Sequence, residues 1–126
     1  MEVRVRYAKV GKVRFLSHRD LARILERAVR RAGLPVAYSQ GYSPRARLHF
    51  GLALSTGYES LAEYIDIDLV DPDEGGAESA LPAADEVADL LQPCLPPGVV
   101  TTASTLLEAG TPALQDAVTS CTWEFL

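Results

Sequence analysis

Residues 17–35 read SHRDLARILERAVRRAGLP. The apolar positions Leu21, Ile24, Leu25, Ala28, Val29 and Ala32 recur at intervals of three, one, three, one and three, which is the repeat of a single α-helical face turned to a core. Ser17 is a good N-cap, and Asp20 stands three residues on in the manner of a capping box; Gly33 followed by Pro35 is a stop signal. Arg19, Arg23, Arg27 and Arg31 step by four along a second stripe, joined by Arg30. One helix is therefore expected here, apolar towards the protein and cationic towards whatever lies outside.

Outward from this helix the pattern changes to period two. Val3, Val5 and Tyr7 alternate with Arg4, Arg6 and Ala8, as in a half-buried strand with an arginine-bearing outer face. A turn at Gly11-Lys12 and a short extended piece over residues 13–15 lead into the helix. Beyond it, residues 36–39 read as a strand, residues 40–44 as a loop of turn-forming types, and residues 46–50 as a further strand with Leu48 and Phe50 on one side and Arg47 and His49 on the other. Residues 64–69 alternate Ile65, Ile67 and Leu69 with Asp66 and Asp68. Residues 71–79 (DPDEGGAES) read as an exposed acidic loop. A second helix is expected from Pro82, marked by Val87, Leu90 and Leu91, before the break at Pro96-Pro97-Gly98. Residues 99–106 and 118–125 are the last strand candidates; because the second alternation runs to the chain's last residues, the parent protein is expected to continue. Strand, helix, strands, helix, strand is the order of an α+β, ferredoxin-like or split βαβ domain, an antiparallel sheet with helices on one face.

With 126 residues, 48% of them hydrophobic and 23% charged, the chain fits a single domain, 1–126, within the usual ~100–200 residues. The net charge of −5 conceals a division at residue 50: all twelve Lys and Arg precede it against three acids, and fourteen acids follow it with no base. Either the halves neutralise each other across the fold, or the first half offers a cationic surface to an anionic partner. No run approaches the ~18 apolar residues of a membrane helix, and no signal-peptide pattern opens the chain, so a cytoplasmic protein is expected.

The residue types also narrow the chemistry. Two cysteines, Cys94 and Cys121, make neither a disulfide framework nor a zinc or iron–sulfur motif, and Cys121 is expected to be a buried thiol. Asp66, Asp68, Asp71 and Asp73 lack the turn glycine and closing glutamate of a calcium loop, so no metal is expected. The glycines are isolated, without the spacing that cradles a nucleotide, and no cofactor is expected. Ser17 beside His18 at a helix start reads as a cap rather than a nucleophile pair.

The run FLSHRDLARILERAVRRAGLPVAYSQGYSPRARLHFGLALSTGYES, residues 15–60, resembles the radical-SAM-linked domain of unknown function. This bacterial family is found fused to, or encoded beside, radical S-adenosylmethionine proteins, and neighbouring genes often encode ribonucleases of the E/G type. The resemblance is carried by Leu16-Ser17-His18, Arg30-Arg31-Ala32-Gly33 and Tyr38-Ser39-Gln40-Gly41-Tyr42, and extends from residue 1 to about residue 70. It implies a partner of RNA-modifying or RNA-processing machinery. The chain lacks the three-cysteine motif of a radical enzyme's iron–sulfur centre, so radical chemistry would belong to another chain or domain.

Three functions are compatible with this pattern. As an accessory RNA-binding module without catalysis of its own, the domain would use Arg19, Arg23, Arg27, Arg30 and Arg31 on phosphates. Arg4, Arg6, Arg47 and His49 would form a basic platform on the sheet's open face, beside the loop that carries Gln40 and Arg45, and Arg45 and Arg47 with Tyr38 and Tyr42 would hold unpaired bases. As a metal-independent ribonuclease of ferredoxin-like type, it would use His18 or His49 as general acid or base beside an arginine that stabilises the phosphorane. As a protein-docking module for a radical-SAM enzyme, it would use the acidic second half.

Overall fold

The structure, a computed structural model, describes residues 1–51, 56–70 and 81–108. Its elements are β1 (Glu2–Lys9), α1 (His18–Arg31), β2 (Leu48–Phe50), β3 (Ser60–Asp68), α2 (Val87–Leu91) and β4 (Val99–Leu107). The strands form one antiparallel sheet in the order β2-β3-β1-β4. An α+β domain with that order is the split βαβ arrangement.

Strand parity builds the core. Val3, Val5 and Tyr7 are buried, and Val3 and Val5 face Ile67 and Ile65 across the β1–β3 ladder. Leu21, Leu25, Ala28 and Val29 of α1 join them, as do Val87, Ala88 and Leu91 of α2 and Val99 of β4. Both helices thus cover the same side of the sheet and leave the other side open.

The ends of α1 follow from its sequence. Ser17 Oγ accepts a hydrogen bond from the Asp20 amide at 3.2 Å, which satisfies one of the helix's orphan donors. At the other end Gly33 takes φ +72°, its amide donates to Arg30 O, and the Leu34 amide donates to Val29 O. This is a Schellman closure, completed by the buried Leu34.

α2 is shorter than the sequence suggests: 3₁₀ turns at Ala84–Glu86 and Gln92–Cys94 flank its five residues. Its core residues are Val87, Ala88 and Leu91, whereas Leu90 is exposed. Polar side chains tie it to β4. Ser104 Oγ accepts from the Ala88 amide at 3.1 Å and donates to Ala84 O at 2.6 Å, and the Thr101 amide donates to Gln92 Oε1 at 2.7 Å.

Other expectations are corrected. Residues 13–15 lie in a 3₁₀ helix, Gly11–Phe15, and are not extended; Val13 is buried while Phe15 is exposed. Residues 36–39 form no strand, only isolated bridges Val36↔Leu69 and Tyr38↔Ala46. Pro35 and Pro44 remove backbone donors on either side of that segment. The strand expected at 46–50 is regular only over Leu48–Phe50, and β3 begins earlier than expected, at Ser60. The acidic loop 71–79, Cys121 and the strand candidate 118–125 lie outside the described residues.

At the end of β1 the core becomes polar. Lys9 is fully buried, and its ammonium donates to Leu16 O at 3.0 Å; burial pushes its pKa down, against the attraction of Glu63. Glu63, which accepts from Ser60 Oγ at 3.0 Å, is itself pushed above the ordinary carboxylate value, chiefly by burial. A carboxyl whose folded pKa is raised contributes stability that is full below its unfolded pKa and is lost as pH rises through the folded one. Glu63→Gln should therefore gain on wild type as pH rises from about 4.5, which urea unfolding across a pH series would measure; parallel curves would refute it.

Candidate nucleic-acid interface

The outward stripe of α1 consists of Arg19, Arg23, Arg27, Arg30 and Arg31, all exposed, with Asp20 the one exposed acid on the helix. Their spacing fixes the geometry: residues four apart lie about 6 Å apart along the axis, so Arg19, Arg23 and Arg27 form a nearly straight ladder. Among the described residues the ion pairs are Arg4–Asp66 and Arg47–Asp68, and none involves these five arginines. Glu26 does not take up Arg30, whose guanidinium lies over the Tyr38 ring, 5.6 Å from its centroid.

That contact joins the helix to the following segment. Residues 37–47 fold back on themselves: the Ser39 amide donates to Arg45 O, the Arg45 amide to Ser39 Oγ at 3.1 Å, and the Arg47 amide to Ala37 O. Tyr38, Gln40, Tyr42 and Arg45 are exposed on it. Helix stripe and loop therefore make one surface, cationic along α1 and aromatic at its C-terminal end.

The open sheet face is different in kind. Arg4, Arg6, Arg47 and His49 do lie there, but the expected basic platform is largely neutralised by β3. Arg4 grips Asp66 with two hydrogen bonds, Nε to Oδ1 at 2.8 Å and Nη2 to Oδ2 at 2.9 Å, and this pairing holds the arginine more firmly charged. Arg47 pairs with Asp68 at 3.7 Å, and Arg6 Nε donates to Thr102 Oγ1 at 2.9 Å. Asp66→Ala would leave the mostly buried Arg4 guanidinium without its partner, at a cost of about 2 kcal/mol; an unchanged urea midpoint would contradict this.

The two histidines are not brought together. His18 packs edge-on against Phe50, ring centroids 4.9 Å apart. His49, the neighbour of Phe50 in β2, points to the opposite face, where its register partner is Asp66. Asp66 and Asp68, considered above as metal ligands, are both taken by arginines; among the described residues no three His, Cys, Asp or Glu side chains converge.

The sequence pattern missed two features. Lys9 continues the parity of Val3, Val5 and Tyr7, and that parity was the available signal for its burial. Phe15, expected in an extended piece, is exposed with the Arg14 guanidinium stacked on it at 4.3 Å.

A family model for uncharacterized proteins conserved in bacteria, DUF2344, matches residues 2–126. The chain belongs to the DUF2344 family. The match runs well past residue 70, where the resemblance carried by residues 15–60 fades, so the acidic second half is also family sequence. No curated protein and no solved structure matches this DUF2344 chain significantly. No helix among its described residues is long and apolar enough to cross a membrane.

Proposed function

We propose that this DUF2344 domain is an accessory RNA-binding module that works beside a radical-SAM protein or an E/G-type ribonuclease and performs no catalysis itself. The observation that carries the proposal is the α1 ladder: five exposed arginines that no acid of the described residues neutralises, ending against an exposed tyrosine. A cation left unpaired at a surface forgoes a modest internal gain and remains available to an external anion. The ladder's step is comparable with the separation of successive phosphates on a strand, so Arg19, Arg23 and Arg27 would each hold one. Arg30 and Tyr38 would receive an unpaired base where the track ends. The link to radical-SAM and ribonuclease machinery rests on the resemblance of residues 15–60.

Stacking on Tyr38 makes the proposal specific for unpaired RNA. Tyr38→Ala should weaken binding to a single-stranded RNA by about tenfold, since stacking contributes ~1–3 kcal/mol per base, and should leave binding to a blunt duplex unchanged. Equal losses on both, or on neither, would remove Tyr38 from the site. Absence of binding to any RNA, with capture of a protein that persists after nuclease treatment, would replace RNA by a protein partner.

A further inference from the structure

The open sheet face holds a feature that the α1 surface does not use. Arg4, Arg6, Tyr64, Ala103, Ser104 and Thr105 line a shallow, open cavity of about 190 Å³. Its origin is in the register. Arg6 lies between Tyr64 on β3 and Ala103 on β4, and the next row of the same face is Asp66, Arg4 and Thr105. The Ala103 methyl is the smallest group among these longer side chains, so the sheet has a dent there, lined chiefly by carbon.

Both arginines at this dent are oriented through their Nε atoms, Arg4 by Asp66 and Arg6 by Thr102. Among the described residues, Arg6 is exposed and its Nη groups take no hydrogen-bond partner, so the planar fork is free to match two phosphate oxygens. The acids of this face lie at the other end. Asp66 is saturated by Arg4, and Glu2 stands beyond Arg4 on the same strand face. Arg6 is therefore the anion-binding end, and the Tyr64–Ala103 floor suits a flat ring.

We infer that this dent is a binding site for a phosphate monoester attached to an aromatic base, with Arg6 on the phosphate and the base seated over Ala103 beside Tyr64. The ligand is either a free nucleoside monophosphate or the phosphorylated end of a strand. The site is separate from the α1 ladder, because Arg6 belongs to the face opposite the helices.

The test is titration of the isotope-labelled full chain, followed by amide NMR, with adenosine 5′-monophosphate, adenosine, and an oligoribonucleotide carrying either a 5′-phosphate or a 5′-hydroxyl. Adenosine monophosphate should shift the Arg6, Ala103 and Thr105 signals, and adenosine should bind at least tenfold more weakly. Arg6→Gln should weaken the monophosphate about tenfold, and Ala103→Leu, which fills the dent and keeps every charge, should abolish the shifts. Arg23→Glu with Arg27→Glu should leave them intact, which separates this site from the α1 proposal. A 5′-phosphate preference that disappears with Arg6→Gln would assign the strand end as ligand; tight monophosphate binding without that preference would assign the free nucleotide. The inference is overturned if millimolar monophosphate leaves these signals in place, or if Ala103→Leu binds like wild type.

Discussion

Arg23→Glu with Arg27→Glu is expected to abolish measurable RNA binding at physiological salt while leaving the fold unchanged. Both residues are exposed on α1 and make no ion pair with any described residue, so their replacement breaks no ion pair there, and Glu is as good a helix former as Arg. Two phosphate contacts become two repulsions. For a single strand each lost contact lowers the slope of log affinity against log salt by about 0.7, so the slope should fall by about 1.4. Binding by a variant that remains detectable at low salt should show this reduced slope, and the circular dichroism of the variant should match wild type. Unchanged affinity and slope would show that phosphates do not lie on this stripe.

Gly98→Ala is expected to destabilise the fold by about 4 kcal/mol. Gly98 immediately precedes β4 with φ +97°, and a Cβ built there meets the Val10 carbonyl oxygen and stands 2.8 Å from Val13 Cγ2. The Val10 amide also donates to Gly98 O at 2.8 Å, so the obstructed backbone is the clasp between the end of β1 and the start of β4. Left-handed strain of ~1–3 kcal/mol and a comparable cost of overpacking both apply. Gly33→Ala is the control: its φ is +72°, but no atom lies within 4 Å of the added methyl, so only the conformational cost of about 1 kcal/mol remains. Urea unfolding should separate the two variants clearly, and equal losses would mean that the clash at Val10 is relieved by movement.

α1 was legible because three independent local signals coincide in it: a 3.6-residue apolar repeat, a serine cap and a glycine stop. β1 was legible from its alternation. The errors fall where local pattern and tertiary context disagree. Val13 and Phe15 alternate like a strand, yet Gly11 turns the chain into a 3₁₀ helix that buries one and exposes the other. Residues 36–39 carry strand-like types but lie beside prolines that cannot complete a ladder. Most informative is the charge division. Arg4, Arg6, Arg19 and Arg23 look equivalent in a sequence, and only the β1–β3 register brings Asp66 to Arg4, while Arg23 on α1 forms no ion pair with a described residue. On the sheet face the two halves neutralise each other through Arg4–Asp66 and Arg47–Asp68, whereas the five arginines of the helix stripe form no ion pair with a described residue. Lys9 is the converse case: its residue type argues for exposure, while its strand parity places it inward, where its ammonium donates to Leu16 O.

The measurement that bears most directly on the central proposal is fluorescence anisotropy of the nucleic-acid-free chain with a labelled single-stranded RNA across a salt series. Phosphate contacts from Arg19, Arg23 and Arg27, with Arg30 and Arg31 adding to the track, predict a log–log slope between about −2 and −3.5. No binding at low salt, or an affinity indifferent to salt, would contradict the proposal and leave the α1 ladder to a protein partner.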